Sequence, residues 1–255
     1  LGEWYAVDAD GGRPRTIVTY DTLGPTDRAR QAQMGERYGM LHPMLEDDTK
    51  VLMTVTRARG IEGSGSEVVL VDTLSGRKST QLRAPRADCG FVADAQAQVR
   101  FANCFDDDMI NGELYERRGN RWELINRSAD TGMRIRVSDI APDGRVYAIA
   151  DDRQRPAGFG VVNPANGEYT EIFRDPVSDV LTYVTGTDDR TVLATVSMPD
   201  GPRVTMVETE HADAQLYRSL LASFPGQMVN MLGATADGRQ VVVSVQSDRN
   251  PGEFY

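Results

Sequence analysis

A short turn built around aspartate returns along this chain at a nearly constant interval, and that interval limits the possible folds more than any other feature. The turns Glu46-Asp47-Asp48-Thr49, Ala93-Asp94-Ala95-Gln96, Pro142-Asp143-Gly144-Arg145, Thr187-Asp188-Asp189-Arg190 and Ala236-Asp237-Gly238-Arg239 follow one another at roughly 45 to 49 residues, a period that points to a repeat architecture. Aspartate bonds its own backbone in tight turns, and Asp-Gly supplies the positive φ of a hairpin. The final unit states the grammar most plainly. Its Asp237 turn leads into the valine-rich run Val241 to Val245, then a polar corner from Ser247 to Gly252, then the aromatic pair Phe254-Tyr255. This reads as turn, buried strand, loop and strand.

A second turn series falls between the first: Asp8-Ala9-Asp10-Gly11-Gly12, Asp72-Thr73-Leu74-Ser75-Gly76, Arg117-Arg118-Gly119-Asn120 and Asn163-Pro164-Ala165-Asn166-Gly167. Two hairpins per period predict about four strands per repeat, here termed A to D in chain order. One such set is Arg136 to Ile140, Val146 to Ala150, Phe159 to Val162 and Tyr169 to Phe173. Small antiparallel units at this period are blades of an all-β propeller, whereas a β-sandwich has no reason to repeat at this interval. About five to six blades are expected. Trp4 to Val7 with Arg15 to Val18 reads as strands C and D of a unit without A and B, and Phe254-Tyr255 starts a strand C without a D. Residues 1–255 are therefore expected to be a single propeller domain, incomplete at both ends.

Two segments depart from the pattern. Thr22 to Gly39 is polar, weakly helical and expected to be a long connection. Glu210 to Phe224 predicts a connector helix whose apolar face is Leu216, Leu220, Leu221 and Phe224, ended by Pro225-Gly226.

The formal net charge of -10 argues against nucleic acid or an anionic membrane as a partner. No apolar run is long enough to span a bilayer. Cys89 and Cys104 are the only cysteines, too few for a disulfide framework and, with only His42 and His211, for a zinc site. Pairing about the Asp94 turn brings them near each other without placing them clearly opposite, which leaves a disulfide open. No metal and no cofactor is expected. The compartment stays open, with a lean to a periplasmic or secreted setting.

The chain resembles the N-terminal propeller of bacterial serine peptidases of the prolyl oligopeptidase family (S9), which contains dipeptidyl and acylaminoacyl peptidases. The resemblance is carried by Trp4-Tyr-Ala-Val-Asp-Ala-Asp-Gly-Gly12, by Val99-Arg-Phe-Ala102 with Phe105-Asp-Asp-Asp108, and by Val161-Val-Asn-Pro-Ala-Asn-Gly-Glu168. The helix with Ser223-Phe-Pro-Gly226 and the closing Ser247-Asp-Arg-Asn-Pro-Gly-Glu-Phe-Tyr255 continue it in order. It implies a seven-bladed ring over a C-terminal α/β-hydrolase domain that supplies the catalytic groups. That domain is absent here, and the chain has no Gly-x-Ser-x-Gly elbow; Gly63-Ser64-Gly65-Ser66 reads as a flexible loop. No catalytic residue is expected. The implied role is to gate peptide access to the hydrolase domain, and the alternative is a stand-alone scaffold that binds a protein, like the propeller of TolB-type proteins.

The residues singled out for substrate or domain contact are Asp152, Arg153, Asp248 and Arg249, in the loops that join strand B to strand C. Their arginines suit carboxylates of a hydrolase domain or the carboxyl end of a peptide. The competing reading is an ion pair within each loop. Asp106-Asp107-Asp108 lacks the further ligands of a calcium loop and reads as a solvated strand end. His42 and His211 read as structural, and the sequon Asn126-Arg127-Ser128 as silent.

Overall fold

The computed structural model describes residues 3–18, 36–44, 46–57, 64–188, 190–235 and 237–255. The chain divides into two compact units, Leu1–Asp130 and Thr131–Tyr255. In the first, β1 (Trp4–Ala6) and β2 (Arg15–Val18) form an antiparallel pair. Next comes a sheet of β3 (Glu36–His42), β4 (Lys50–Arg57), β5 (Gly65–Asp72) and β6 (Lys78–Arg83). A second sheet holds β7 (Cys89–Ala93), β8 (Val99–Phe105), β9 (Gly112–Arg118) and β10 (Arg121–Arg127). The four-residue helix α1 (Ser128–Thr131) follows.

The second unit opens with a sheet of β11 (Arg134–Ile140), β12 (Val146–Asp151), β13 (Gly158–Val162) and β14 (Tyr169–Phe173). Two three-stranded sheets follow: β15 (Val180–Thr185), β16 (Val192–Ser197) and β17 (Arg203–Met206), then β18 (Met228–Ala234), β19 (Val241–Gln246) and β20 (Glu253–Phe254). Helix α2 (Ala212–Ser223) lies between them in the chain. All pairings are antiparallel between strands adjacent in sequence, which is the construction of propeller blades. Five such sheets and one two-stranded pair are present among the described residues, so a count of seven is not supported.

The burial pattern explains the strand order. β12 and β16 are buried almost throughout because they sit inside their sheets with both faces covered, while the outer strands β6 and β14 are largely exposed, and β6 is polar as well. Each larger apolar cluster is shared by neighbouring sheets. Leu52 and Val68 meet Cys89, Phe91 and Ala102 in the first unit; Tyr147 and Phe159 meet Val180 and Val192 in the second. A lone blade could not bury these faces.

The aspartate turns work as the sequence suggests. Asp47, Asp94, Asp143, Asp188 and Asp237 each accept a backbone N–H from the residue two positions on, at 3.0 to 3.1 Å. Turn chemistry accounts for these carboxylates. Gly144 and Gly238 take positive φ at the same turn position where Ala97 does, at 58°.

Four expectations are corrected. The sheet β15–β17 has three strands; after Met206 the chain turns away and α2 packs its Tyr217, Leu220, Leu221 and Phe224 into the cluster shared by β15–β17 and β18–β20. Of the expected apolar face of α2, Leu220, Leu221 and Phe224 pack into this cluster as read, but Leu216 is exposed, and the buried positions are Ala214 and Tyr217, whose hydroxyl donates to the Val229 carbonyl at 3.1 Å. Of the connection expected over 22–39, residues 36–39 belong to β3, and the remainder lies outside the described residues. Gly65 and Ser66 begin β5 rather than sitting in a loop, with the Ser66 hydroxyl donating to the Ala87 carbonyl at 3.1 Å.

Cys89 and Cys104 are disulfide-bonded, with Cα atoms 4.1 Å apart. Carried straight back from the Ala93–Val99 pair, the register sets Cys89 against Asn103; a bulge beside Val92 and Ala93 shifts it by one residue, so that Cys89 faces Cys104. A bulge also interrupts the first strand pair of the other four blade sheets. A one-residue slip of this kind is invisible in hydrophobic patterning.

Candidate functional site

Antiparallel order puts the B–C loops of each sheet at the end opposite its aspartate turns. The described B–C loops are 106–111, 152–157, 198–202 and 247–252, and the connections 84–88 and 174–179 emerge at the same end of their sheets. All four residues singled out from sequence lie there.

Asp152 and Arg153 share one loop. The Asp152 carboxylate accepts from the Gln154 and Arg155 backbones and from the Arg155 guanidinium at 2.6 and 2.9 Å. Those bonds, with the Arg155 guanidinium the largest influence, hold its carboxyl at about 2. The Asp152 partner is therefore Arg155. Arg153 sits at φ 61° with its N–H donating to Asp151 Oδ1 at 2.7 Å. Asp248 and Arg249 occupy the loop of another sheet, exposed, with Arg249 Nε 3.8 Å from Asp248 Oδ2. Ser247 Oγ shapes that loop by accepting the Arg249 and Asn250 N–H groups at 3.2 and 3.1 Å.

A cleft of about 500 Å³ opens between the loops 198–202 and 247–251. Met198, Pro202, Met228 and Pro251 form apolar walls and Asp200 and Asp248 polar ones. Asp248 thus faces a cavity of a size that accepts a side chain, and Arg249 is not part of its lining.

Sequence reasoning missed a set of buried carboxylates, each at the B–C loop end of its own sheet. Glu113 on β9 is 2% exposed. It accepts from Arg86 Nε and Nη2 at 2.9 and 3.2 Å, from Arg127 Nε at 2.9 Å and from the Tyr115 hydroxyl at 2.7 Å. Burial pushes its carboxyl up, but the bonds from Arg86, Tyr115 and Arg127 together outweigh burial and hold it below its ordinary value. Glu67 on β5 takes Arg57 Nη1 at 2.7 Å. Asp175, fully buried, accepts from the Val177 and Ser178 N–H groups, Ser197 Oγ and Arg203 Nη1. Glu113 and Asp175 each tie a connection to the strands beside it, and Glu67 ties its own strand to the ends of β4 and β6. The signal in the sequence was an acidic residue among apolar strand positions, but the arginines that neutralise Glu113 lie 27 and 14 residues away.

The remaining polar candidates have structural duties. Asp106 Oδ1 accepts the Ile110 and Asn111 N–H groups at 2.9 and 3.1 Å, which shapes its loop. His42 Nδ1 accepts the Met44 N–H at 3.0 Å, and His211 caps α2 by accepting the Asp213 N–H at 3.3 Å. Asn126 and Ser128 of the sequon are buried.

The Tyr169 hydroxyl is buried with no hydrogen-bond partner among the described residues, and burial pushes its pKa up. Its ring fills the space over Gly160, where a Cβ would come within 2.8 Å of it. Tyr169→Phe should leave stability unchanged or raise it by up to about 1 kcal/mol, because no bond is lost and a buried unsatisfied hydroxyl is removed. A fall of several degrees in thermal melting would show that the hydroxyl has a bonding role.

No protein-family model matches the chain, and no curated protein matches it in sequence. Solved structures do. TolB from Acinetobacter baumannii aligns at a TM-score of 0.51 with 13% identity, over 99% of this chain and 58% of its own. A puromycin hydrolase S511A mutant, solved in complex with PGG, aligns at 0.58 with 14% identity, over 96% of this chain and 38% of its own. The chain therefore spans less than two thirds of the length of either. At these identities the likeness is one of fold, and the fold that sheet order and likeness together give is an all-β propeller.

Proposed function

We propose that this chain is a non-catalytic propeller module of a serine peptidase, presenting its B–C loop end to a C-terminal α/β-hydrolase domain and controlling which peptides reach it. The observation that carries this reading is the TM-score of 0.58 with puromycin hydrolase over 96% of the chain, in which the chain accounts for 38% of the other protein. The ordered resemblance to the prolyl oligopeptidase family supports it. A narrow channel over an enclosed active site admits short flexible peptides and excludes folded chains. The Cys89–Cys104 bond favours an oxidising compartment, in keeping with a periplasmic or secreted peptidase.

The TolB likeness, at 0.51 over 99% of the chain, favours a second reading as a protein-binding scaffold. The reading frame beyond Tyr255 separates the two: a Gly-x-Ser-x-Gly elbow is expected on the first and not on the second. In the intact protein, Arg249→Ala should slow peptide turnover while leaving hydrolysis of a small ester unchanged. Equal losses on both substrates would assign Arg249 to folding, and an intact protein that cleaves neither would favour the scaffold.

A further inference from the structure

At the loop end of the first unit, a polar pocket of about 220 Å³ lies between the start of β5 and the connection 84–87. Three guanidinium groups line it, those of Arg57, Arg83 and Arg86, against the single carboxylate of Glu67. Two of the three are fixed from behind. Arg57 Nε donates to Glu36 at 2.8 Å and its Nη1 lies 2.7 Å from Glu67, while Arg86 forks onto buried Glu113. These groups are held in place before anything binds, which lowers the ordering cost of a ligand.

Arg83 differs from the other two. Its nearest carboxylate oxygen is that of Glu67, 3.8 Å away, and its side chain is 79% exposed. Its side chain makes no hydrogen bond among the described residues, although its backbone carbonyl anchors the Trp122 indole at 2.9 Å. A guanidinium offers five N–H donors in a fork that matches a planar oxyanion. The pocket therefore combines two guanidinium groups fixed by Glu36, Glu67, Glu113 and Asp107, a third whose fork is held only by the 3.8 Å ion pair with Glu67, and room for a small group, but not for a whole peptide.

We propose that this pocket binds a carboxylate, with Arg83 as the arm that closes on it. The source is either the carboxyl end of a peptide or an acidic side chain of a protein partner, and the proposal does not depend on which functional reading holds. Charge-assisted bidentate pairing of arginine and carboxylate is the interaction expected, weakened by salt because the mouth is open to solvent.

The test is calorimetric titration of the chain at low ionic strength with acetyl-dialanine, its C-terminal amide, and acetyl-aspartate amide. Acetyl-dialanine or acetyl-aspartate amide should bind, and the fully neutral dialanine amide should not. Tighter binding of the first assigns the pocket to a peptide terminus; tighter binding of the other assigns it to an acidic side chain. Arg83→Gln should weaken that binding at least tenfold with an unchanged melting temperature, and Arg83→Lys should restore part of it. Equal binding of acid and neutral amide, binding of inorganic phosphate with neither carboxylate, or an Arg83→Gln variant of undiminished affinity would overturn the proposal.

Discussion

Glu113→Ala is expected to lower stability by about 3 kcal/mol, because removing the acid takes from two arginines their buried counter-charge and leaves them only the exposed Asp107 and Asp130, at 3.6 and 3.7 Å. In a domain of this size that is a fall of roughly 6 to 12 °C in melting temperature. The figure sits at the lower end of the range for a broken buried pair because Arg86 and Arg127 are each about one third exposed, at 32% and 38%, and water takes up part of the loss. Glu113→Gln keeps the shape and some of the hydrogen bonds, so its loss should be intermediate. The acidity argument gives a second readout. The Glu113 carboxyl is held below its unfolded value, so its contribution is complete above the unfolded pKa and disappears as pH falls through the lower folded one. Wild type should therefore lose stability in acid more steeply than Glu113→Gln. Parallel acid profiles for the two proteins would remove Glu113 from the account.

The second large effect belongs to the disulfide. Cys89 and Cys104 are 15 residues apart, and cross-linking a loop of that length restricts the unfolded chain by about 3 kcal/mol. Melting in a strong reductant should show that loss. Both sulfurs also lie in the apolar cluster that joins the first two blade sheets. Replacing both cysteines with alanine should therefore cost more than reduction alone, the difference being the packing of two sulfur atoms. Equal melting temperatures with and without reductant would mean that packing, and not the bond, secures this hairpin.

Much of the fold was legible because its signals are local. Asp47, Asp94, Asp143, Asp188 and Asp237 mark turns through bonds to residues two positions on, and the nearly all-buried β12 follows from residue type alone, whereas β19, read as a buried strand, leaves Val242 half exposed. The third blade sheet is bounded within two residues of its sequence reading. What escaped depends on contacts distant in sequence or on single-residue slips. The bulge that sets Cys89 against Cys104 leaves no mark in hydrophobic pattern. On α2 the burial of Tyr217 in place of Leu216 was not legible, because its hydroxyl meets a carbonyl on β18, a contact distant in sequence. Of the candidate site, the loops and the reading of an ion pair within each were legible, as Asp152 with Arg155 and Asp248 with Arg249 show, but not which arginine Asp152 would take. Asp152 chose Arg155 over its neighbour Arg153 because the loop curls back on itself, and the buried acids Glu67, Glu113 and Asp175 were hidden because their partners come from other strands.

The exchange of a fourth strand for α2 has a consequence for how the chain opens. Val184, Leu193 and Val196 from one sheet, Tyr217 from the helix, and Val229, Met231, Val243 and Val245 from the next all belong to a single apolar cluster. Undocking the helix exposes both sheets at once, so these three elements should exchange their amide hydrogens as one cooperative block. Sheets joined only by facing strands can fray one at a time. A helix that belongs to two sheets removes that freedom, so this stretch of the second unit opens as a whole or stays closed.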